Sequence, residues 1–256
     1  MSARFEELGW SATPIGEVSL RRRLDPVTGE DVFEVKLDDE WLMSSQFTAA
    51  EIQLARLGLA RLGQAGRANA AGPAATSASA PASPTGLVVV GGLGLGYTAQ
   101  AALEDPRVGE LLVLELLEPV IDWHERGLVP VGPALTSDPR CRFVHGDFFA
   151  MSHGDGYDPA QAGRLCDAIL LDIDHSPTHV LDRGNAGFYG IEGMRAVASH
   201  LRPGGVYAMW SNDPPEPQYM SILAEVFADV AAEVITFPNP LQNREATATV
   251  YVAVKA

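Results

Sequence analysis

Residues 87–97 read LVVVGGLGLGY, an apolar run followed by glycines at 91, 92, 94 and 96 and then by the start of a helical pattern. An unbroken apolar run suits a strand covered on both faces of a parallel sheet. Glycine behind such a strand lets the backbone take positive φ and come close to a ligand. The helix that follows offers free N–H groups at its N-terminus. Strand, glycine loop and helix in this order predict a nucleotide-type ligand over Gly92, Gly94 and Gly96.

The same texture continues downstream. Strands are expected at Leu87–Val90, Leu111–Glu115, Arg142–His145, Ala168–Asp172 and Val206–Ser211. Helical patterns follow most of them, at Tyr97–Leu103, Pro119–Arg126, Phe188–Leu201 and Gln218–Ala228. Alternation of this kind predicts an α/β class fold, a Rossmann-like doubly wound sheet. Glu233–Phe237 and Thr247–Val254 have only a loop between them, so the seven-stranded sheet is expected to close with an antiparallel β-hairpin.

Upstream, residues 66–85 (GRANAAGPAATSASAPASPT) are rich in Ala, Ser, Pro and Gly and read as a flexible linker. Residues 1–65 form a separate, β-rich segment. Glu17–Leu24 and Val32–Leu37 flank the turn-like stretch DPVTGED, and a short strand is expected at Trp41–Met43. Thr48 and Glu51 fit a capping box that opens a helix carrying Ile52, Leu54, Leu57, Leu59 and Leu62. The ligand-binding domain is then 86–256.

Of the 256 residues, 46% are hydrophobic, enough for a full-sized core. Acidic side chains number 33 against 18 basic ones, a net charge of −15 that disfavours a nucleic-acid backbone as partner. Cys141 and Cys166 read as reduced thiols in strands. MSARFEELGW lacks an apolar signal segment and no run of eighteen apolar residues occurs, so a cytoplasmic protein away from membranes is expected.

Candidate chemistry gathers at strand ends, where open α/β sheets hold ligands. Glu115 ends the second strand, placed to accept both ribose hydroxyls of a nucleoside. Asp147 follows the third and suits an adenine amino group. After the fourth come Asp172, Asp174 and His175, two carboxylates and an imidazole able to bind a cation or deprotonate a nucleophile. No metal site is expected, since Pro177 keeps His175 and His179 off a common helical face. Asn212-Asp213-Pro214-Pro215 reads as a loop, Trp123 and Trp210 as core or pocket wall, and Arg21-Arg22-Arg23 as a solvated strand face.

On these residues the chain resembles the spermidine synthase family, within the Rossmann-like S-adenosylmethionine-dependent methyltransferase superfamily. The likeness takes in the N-terminal β-segment, the helix with Glu51, the glycine loop, Glu115, Asp147, the acidic loop after the fourth strand and Phe188-Tyr189. It implies S-adenosylmethionine or its decarboxylated form above the sheet, with Glu115 on the ribose and Asp147 by the adenine. There are departures. The family's Gly-Gly-Gly-Asp-Gly-Gly loop holds the aminopropyl amine with its Asp, and Gly94 stands there. Its Asp-Ser-Ser-Asp-Pro loop places a second Asp where His175 falls, and its Tyr before Glu51 is replaced by Ala49. Loss of the acid at 94 would admit the carboxylate of ordinary S-adenosylmethionine. Methyl or related alkyl transfer to a small-molecule acceptor is therefore the leading expectation, with Asp174 or His175 as base. Alternatives are aminopropyl transfer to a diamine with Asp172 and Asp174 on the ammonium groups, a non-catalytic nucleoside-binding protein, and an NAD-linked oxidoreductase on the G-x-G-x-x-A reading of 94–99. A homodimer is compatible with each of them.

Overall fold

The computed structural model describes residues 5–70, 85–239 and 244–256. Strands β1 (Phe5–Thr13), β2 (Gly16–Leu24), β3 (Asp31–Leu37) and β4 (Glu40–Ser44) form an antiparallel sheet in that order. The turn between β2 and β3 is built by Asp25, whose Oδ1 accepts from the N–H groups of Val27 (2.7 Å) and Thr28 (3.0 Å). The arginine run is not simply solvated. Arg21 and Arg23, two residues apart and so on one face, donate to the two oxygens of Glu34 at 2.8 Å each. β1 was not expected: Glu6, Glu7 and Gly9 break its alternation, and its pairing with β2 shifts register between Glu7 and Gly9.

Helix α1 (Ala49–Ala70) leads from this sheet to β5 (Thr85–Gly91). Residues 66–70, expected as linker, continue α1, and residues 71–84 lie outside the described residues. Thereafter come α2 (Tyr97–Leu103), β6 (Val108–Glu115), α3 (Glu118–Glu125), α4 (Gly132–Ser137), β7 (Cys141–His145) and α5 (Phe148–Ser152). The chain closes with β8 (Cys166–Leu171), α6 (Ile191–Ser199), β9 (Leu201–Ser211), α7 (Pro217–Val226), β10 (Asp229–Asn239) and β11 (Arg244–Val254). α6 starts later than expected because Phe188-Tyr189 belong to a 3-10 turn over Arg183–Tyr189, and Gly190 resets the chain to an extended conformation.

The seven-stranded sheet has the order β10-β11-β9-β8-β5-β6-β7. β5 to β9 are parallel, while β11 pairs antiparallel with both β9 and β10. The closing hairpin is paired from Asp229↔Val254 to Asn239↔Arg244. Successive strand residues alternate between two cores. Val88, Val90, Leu111, Val113, Ala168 and Leu170 face α1 and α2, and Leu54, Leu59, Val18, Leu20, Val35 and Leu37 join them. Leu87, Val89, Leu112, Leu114, Ile169 and Leu171 face Met194, Val197, Tyr219 and Leu223 of α6 and α7. This double burial explains the apolar runs. Both cysteines are free thiols, Cys166 buried. Among the described residues no helix is long and apolar enough to cross a membrane. Strand order reverses at β5, flanked by β6 and β8, so Gly91, Glu115 and Asp172 converge at one edge.

Candidate active site

A cleft opens beyond the carboxyl ends of β5, β6 and β8. Its floor is the glycine loop and its roof is the N-terminal sheet, which contributes Ile15, Val35, Leu37, Leu42 and Met43. Gly92 and Gly94 line it, at φ 96° and 47°. A Cβ on Gly92 would run into the Asp172 carbonyl, and one on Gly94 into the Met43 thioether. Position 92 therefore needs glycine for space as well as for conformation, whereas at Gly94 the positive φ is the stronger constraint, because the Met43 side chain can shift. Gly96 lies deeper, as the left-handed N-cap of α2.

Glu115 ends β6 at the cleft wall. Its Oε2 accepts from Leu93 N–H at 3.1 Å and its Oε1 from Leu117 N–H at 2.8 Å, so the acid is tied to the glycine loop it faces. Burial pushes its carboxyl up, and these N–H bonds pull against that rise. Asp147 caps α5, its Oδ1 accepting from Phe149 N–H (2.9 Å) and Ala150 N–H (3.3 Å). It also lines the cleft, so the cap and the site use the same residue.

The expected trio after β8 is split. Asp172 and Asp174 line the cleft. His175 instead turns to the hairpin joining β3 and β4, with Nε2 3.4 Å from the Glu40 carboxylate and its ring edge-on to His179 at 5.1 Å. It does not line the cleft, although it is close enough for its charge to pull against the rise of the Asp174 carboxyl. Asp172 Oδ2 accepts the Thr98 hydroxyl at 2.6 Å. Beside it sits Glu51 of α1, and the pair shares a side chamber with Tyr97, Ser44 and Met43. Burial raises the carboxyls of both residues, and the Asp172 charge raises Glu51 further. Glu51 thus faces Asp172, where the sequence suggested a capping box. Asp174 is 1% exposed; its Oδ2 accepts the Tyr189 hydroxyl at 2.6 Å and its Oδ1 Leu181 N–H at 2.7 Å. Burial raises its carboxyl too, against the pull of Tyr189.

Sequence reasoning missed Asp182 and Asn185, which line the cleft, and Thr98 and Met43, which hold or cover its acids and loop; Tyr189 was singled out with Phe188, but not its bond to Asp174. Asp182 follows Pro177 by five residues in an irregular segment, and no periodicity points its carboxylate inward. The lining now carries five carboxylates (Glu115, Asp147, Asp172, Asp174 and Asp182) and, among the described residues, no Arg, Lys or His.

Strand order, closing hairpin and a cleft at the switch point define a Rossmann-like doubly wound fold. Within it the chain has the spermidine synthase fold. It is similar to spermidine synthase from Thermotoga maritima, at 14% identity and TM-score 0.64 over 98% of this chain and 73% of that one. A spermidine synthase in complex with the transition-state analogue AdoDATO matches at 15% and 0.64, covering 98% and 74%. A probable spermidine synthase from Corynebacterium glutamicum matches at 16% and 0.57, covering 96% and 79%. At these identities the likeness is one of fold. No family model matches the sequence.

Proposed function

We propose that the protein transfers an aminopropyl group from decarboxylated S-adenosylmethionine to an amine. The observation that carries this reading is the charge of the cleft: five lining carboxylates with no cationic side chain among the described residues. Ordinary S-adenosylmethionine would bring its own carboxylate into this field, with no side-chain cation to meet it. The decarboxylated donor and a diamine bring ammonium groups only. The solved structure bound to AdoDATO, a transition-state analogue of a spermidine synthase, points the same way.

In this reading Glu115 holds the ribose hydroxyls and Asp147 the adenine amino group. The donor supplies a sulfonium-bound carbon open to a nitrogen nucleophile. Asp172 and Asp174 hold and orient the acceptor amine, and Asp182 takes a further ammonium group. As the C–N bond forms, the C–S bond breaks, its electron pair stays on sulfur, and the proton leaving nitrogen passes to a carboxylate. Asp172 suits that last task, because burial lifts its carboxyl towards the pH at which it must work. His175, turned to Glu40, does not line the cleft.

Methyl transfer, the leading expectation from the sequence, keeps one observation in its favour. No acid stands at Gly94, and the Met43 thioether fills the space above it. Turnover separates the two. Incubation with each donor and putrescine, followed by mass spectrometry, should yield methylthioadenosine and an aminopropylated amine from the decarboxylated donor. Release of S-adenosylhomocysteine and a methylated acceptor would support the second reading instead.

A further inference from the structure

We infer that His124 is a positioning residue for the glycine loop, holding the Gly94–Leu95 peptide from beneath while Met43 holds it from above. The inference rests on the reading of the cleft as a nucleoside site. His124 lies on α3, nine residues beyond Glu115, and is 0% exposed. Its Nε2 lies 2.8 Å from the Gly94 carbonyl oxygen. A carbonyl can only accept, so Nε2 carries the proton and Nδ1 is a bare lone pair. Burial keeps the ring neutral, pushing it down to about 4.

The same peptide is engaged on its other side. Leu95 N–H donates to Met43 Sδ at 2.8 Å. Next along, Leu93 N–H donates to Glu115. One short segment, 115–124, therefore fixes two successive groups of the loop, and the N-terminal sheet fixes the third. Gly94 sits at φ 47°, where a peptide is free to flip once its carbonyl is released. A flip would turn that carbonyl out of its bond and break the Leu95–Met43 bond.

A second feature argues that this histidine is kept for the loop. Its Nδ1 is buried with no hydrogen-bond partner. An unpaired buried polar atom lowers stability, and a phenylalanine would fill the ring's place without it. The surrounding packing, edge-on to Phe143 at 5.6 Å, asks only for an aromatic ring.

The test uses the full chain with His124→Phe and His124→Gln, each read by melting temperature, by hydrogen exchange of the loop amides without ligand, and by calorimetric titration of 5′-methylthioadenosine. His124→Phe should melt no lower than wild type, while its loop amides exchange about tenfold faster and methylthioadenosine binds about tenfold more weakly. His124→Gln, whose amide N–H can reach the same carbonyl, should recover most of both losses. If His124→Phe does not fold, His124→Asn, too short to reach Gly94, takes its place and must show the same faster exchange. A donor-less variant with wild-type loop exchange and wild-type affinity overturns the inference. Wild type that binds no methylthioadenosine refutes the nucleoside reading, and loop exchange alone then decides the role of His124.

Discussion

Asp172→Asn should move stability and binding in opposite directions. In the wild type Asp172 Oδ2 accepts the Thr98 hydroxyl at 2.6 Å and the residue lies buried beside Glu51. Asparagine keeps an oxygen for Thr98 and removes a charge that Glu51 feels, as the upward shift of the Glu51 carboxyl shows. The ligand-free variant should therefore be as stable as wild type or more so, since an uncompensated buried charge is removed. Substrate binding should fall. An ammonium group about 4 Å from a carboxylate gains roughly 4 kcal/mol at an effective dielectric of 20, before desolvation. The net worth of a hydrogen bond to a charged group is about 1.5–3 kcal/mol, or roughly a 10- to 150-fold loss of affinity. Thermal melts of the free protein and calorimetric titration of putrescine into protein saturated with methylthioadenosine measure the two effects. A variant that is less stable yet binds putrescine as before would refute the reasoning and make Asp172 a structural acid.

Three further outcomes follow from the same geometry. Glu51, raised to about 8 chiefly by burial and then by Asp172, holds a proton in the folded state that the unfolded chain releases above its ordinary 4.5. Its contribution to stability must therefore fall as pH rises, by up to about 1.4 kcal/mol per pH unit between roughly pH 5.5 and 7.5; urea titrations should show this slope in wild type and a flatter one in Glu51→Gln. Gly94→Asp should lower the melting temperature without strengthening the preference for the decarboxylated donor, because a left-handed position costs a side chain roughly 1–2 kcal/mol and the new Cβ meets Met43; donor titration of Gly94→Asp combined with Met43→Ala checks whether space was the obstacle. Tyr189→Phe removes the hydroxyl that Asp174 Oδ2 accepts at 2.6 Å, so denaturation at pH 7 should show a loss of about 1–3 kcal/mol, shrinking towards acid as Asp174 protonates.

What was legible in the sequence was what is local. The apolar runs before Gly91, Glu115 and Asp172 mark strands buried on both faces, and the residue ending such a strand must sit at the sheet edge. Hence Gly92, Gly94, Glu115, Asp147, Asp172 and Asp174 could be placed at one cleft before any coordinates. Two expectations turned on side-chain direction, which no spacing reveals. His175 follows Asp174 by one residue but leans to Glu40, a carboxylate on the N-terminal hairpin. Glu51 fits a capping box in sequence, yet its neighbour is Asp172, far along the chain. Met43 over Gly94 and Tyr189 on Asp174 are likewise pairings between distant segments. β1 escaped notice because its pattern is interrupted at Glu6, Glu7 and Gly9. Reading Gly94 alone favoured a donor with a carboxylate; the charges assembled around it favour one without.

The central claim is that this acidic cleft selects a nucleoside donor that carries no carboxylate. Isothermal titration of decarboxylated S-adenosylmethionine and of S-adenosylmethionine into the same wild-type protein, at the same pH and salt, tests it most directly. The account predicts tighter binding of the decarboxylated donor, with the difference shrinking in Asp172→Asn. Tighter binding of S-adenosylmethionine would contradict it.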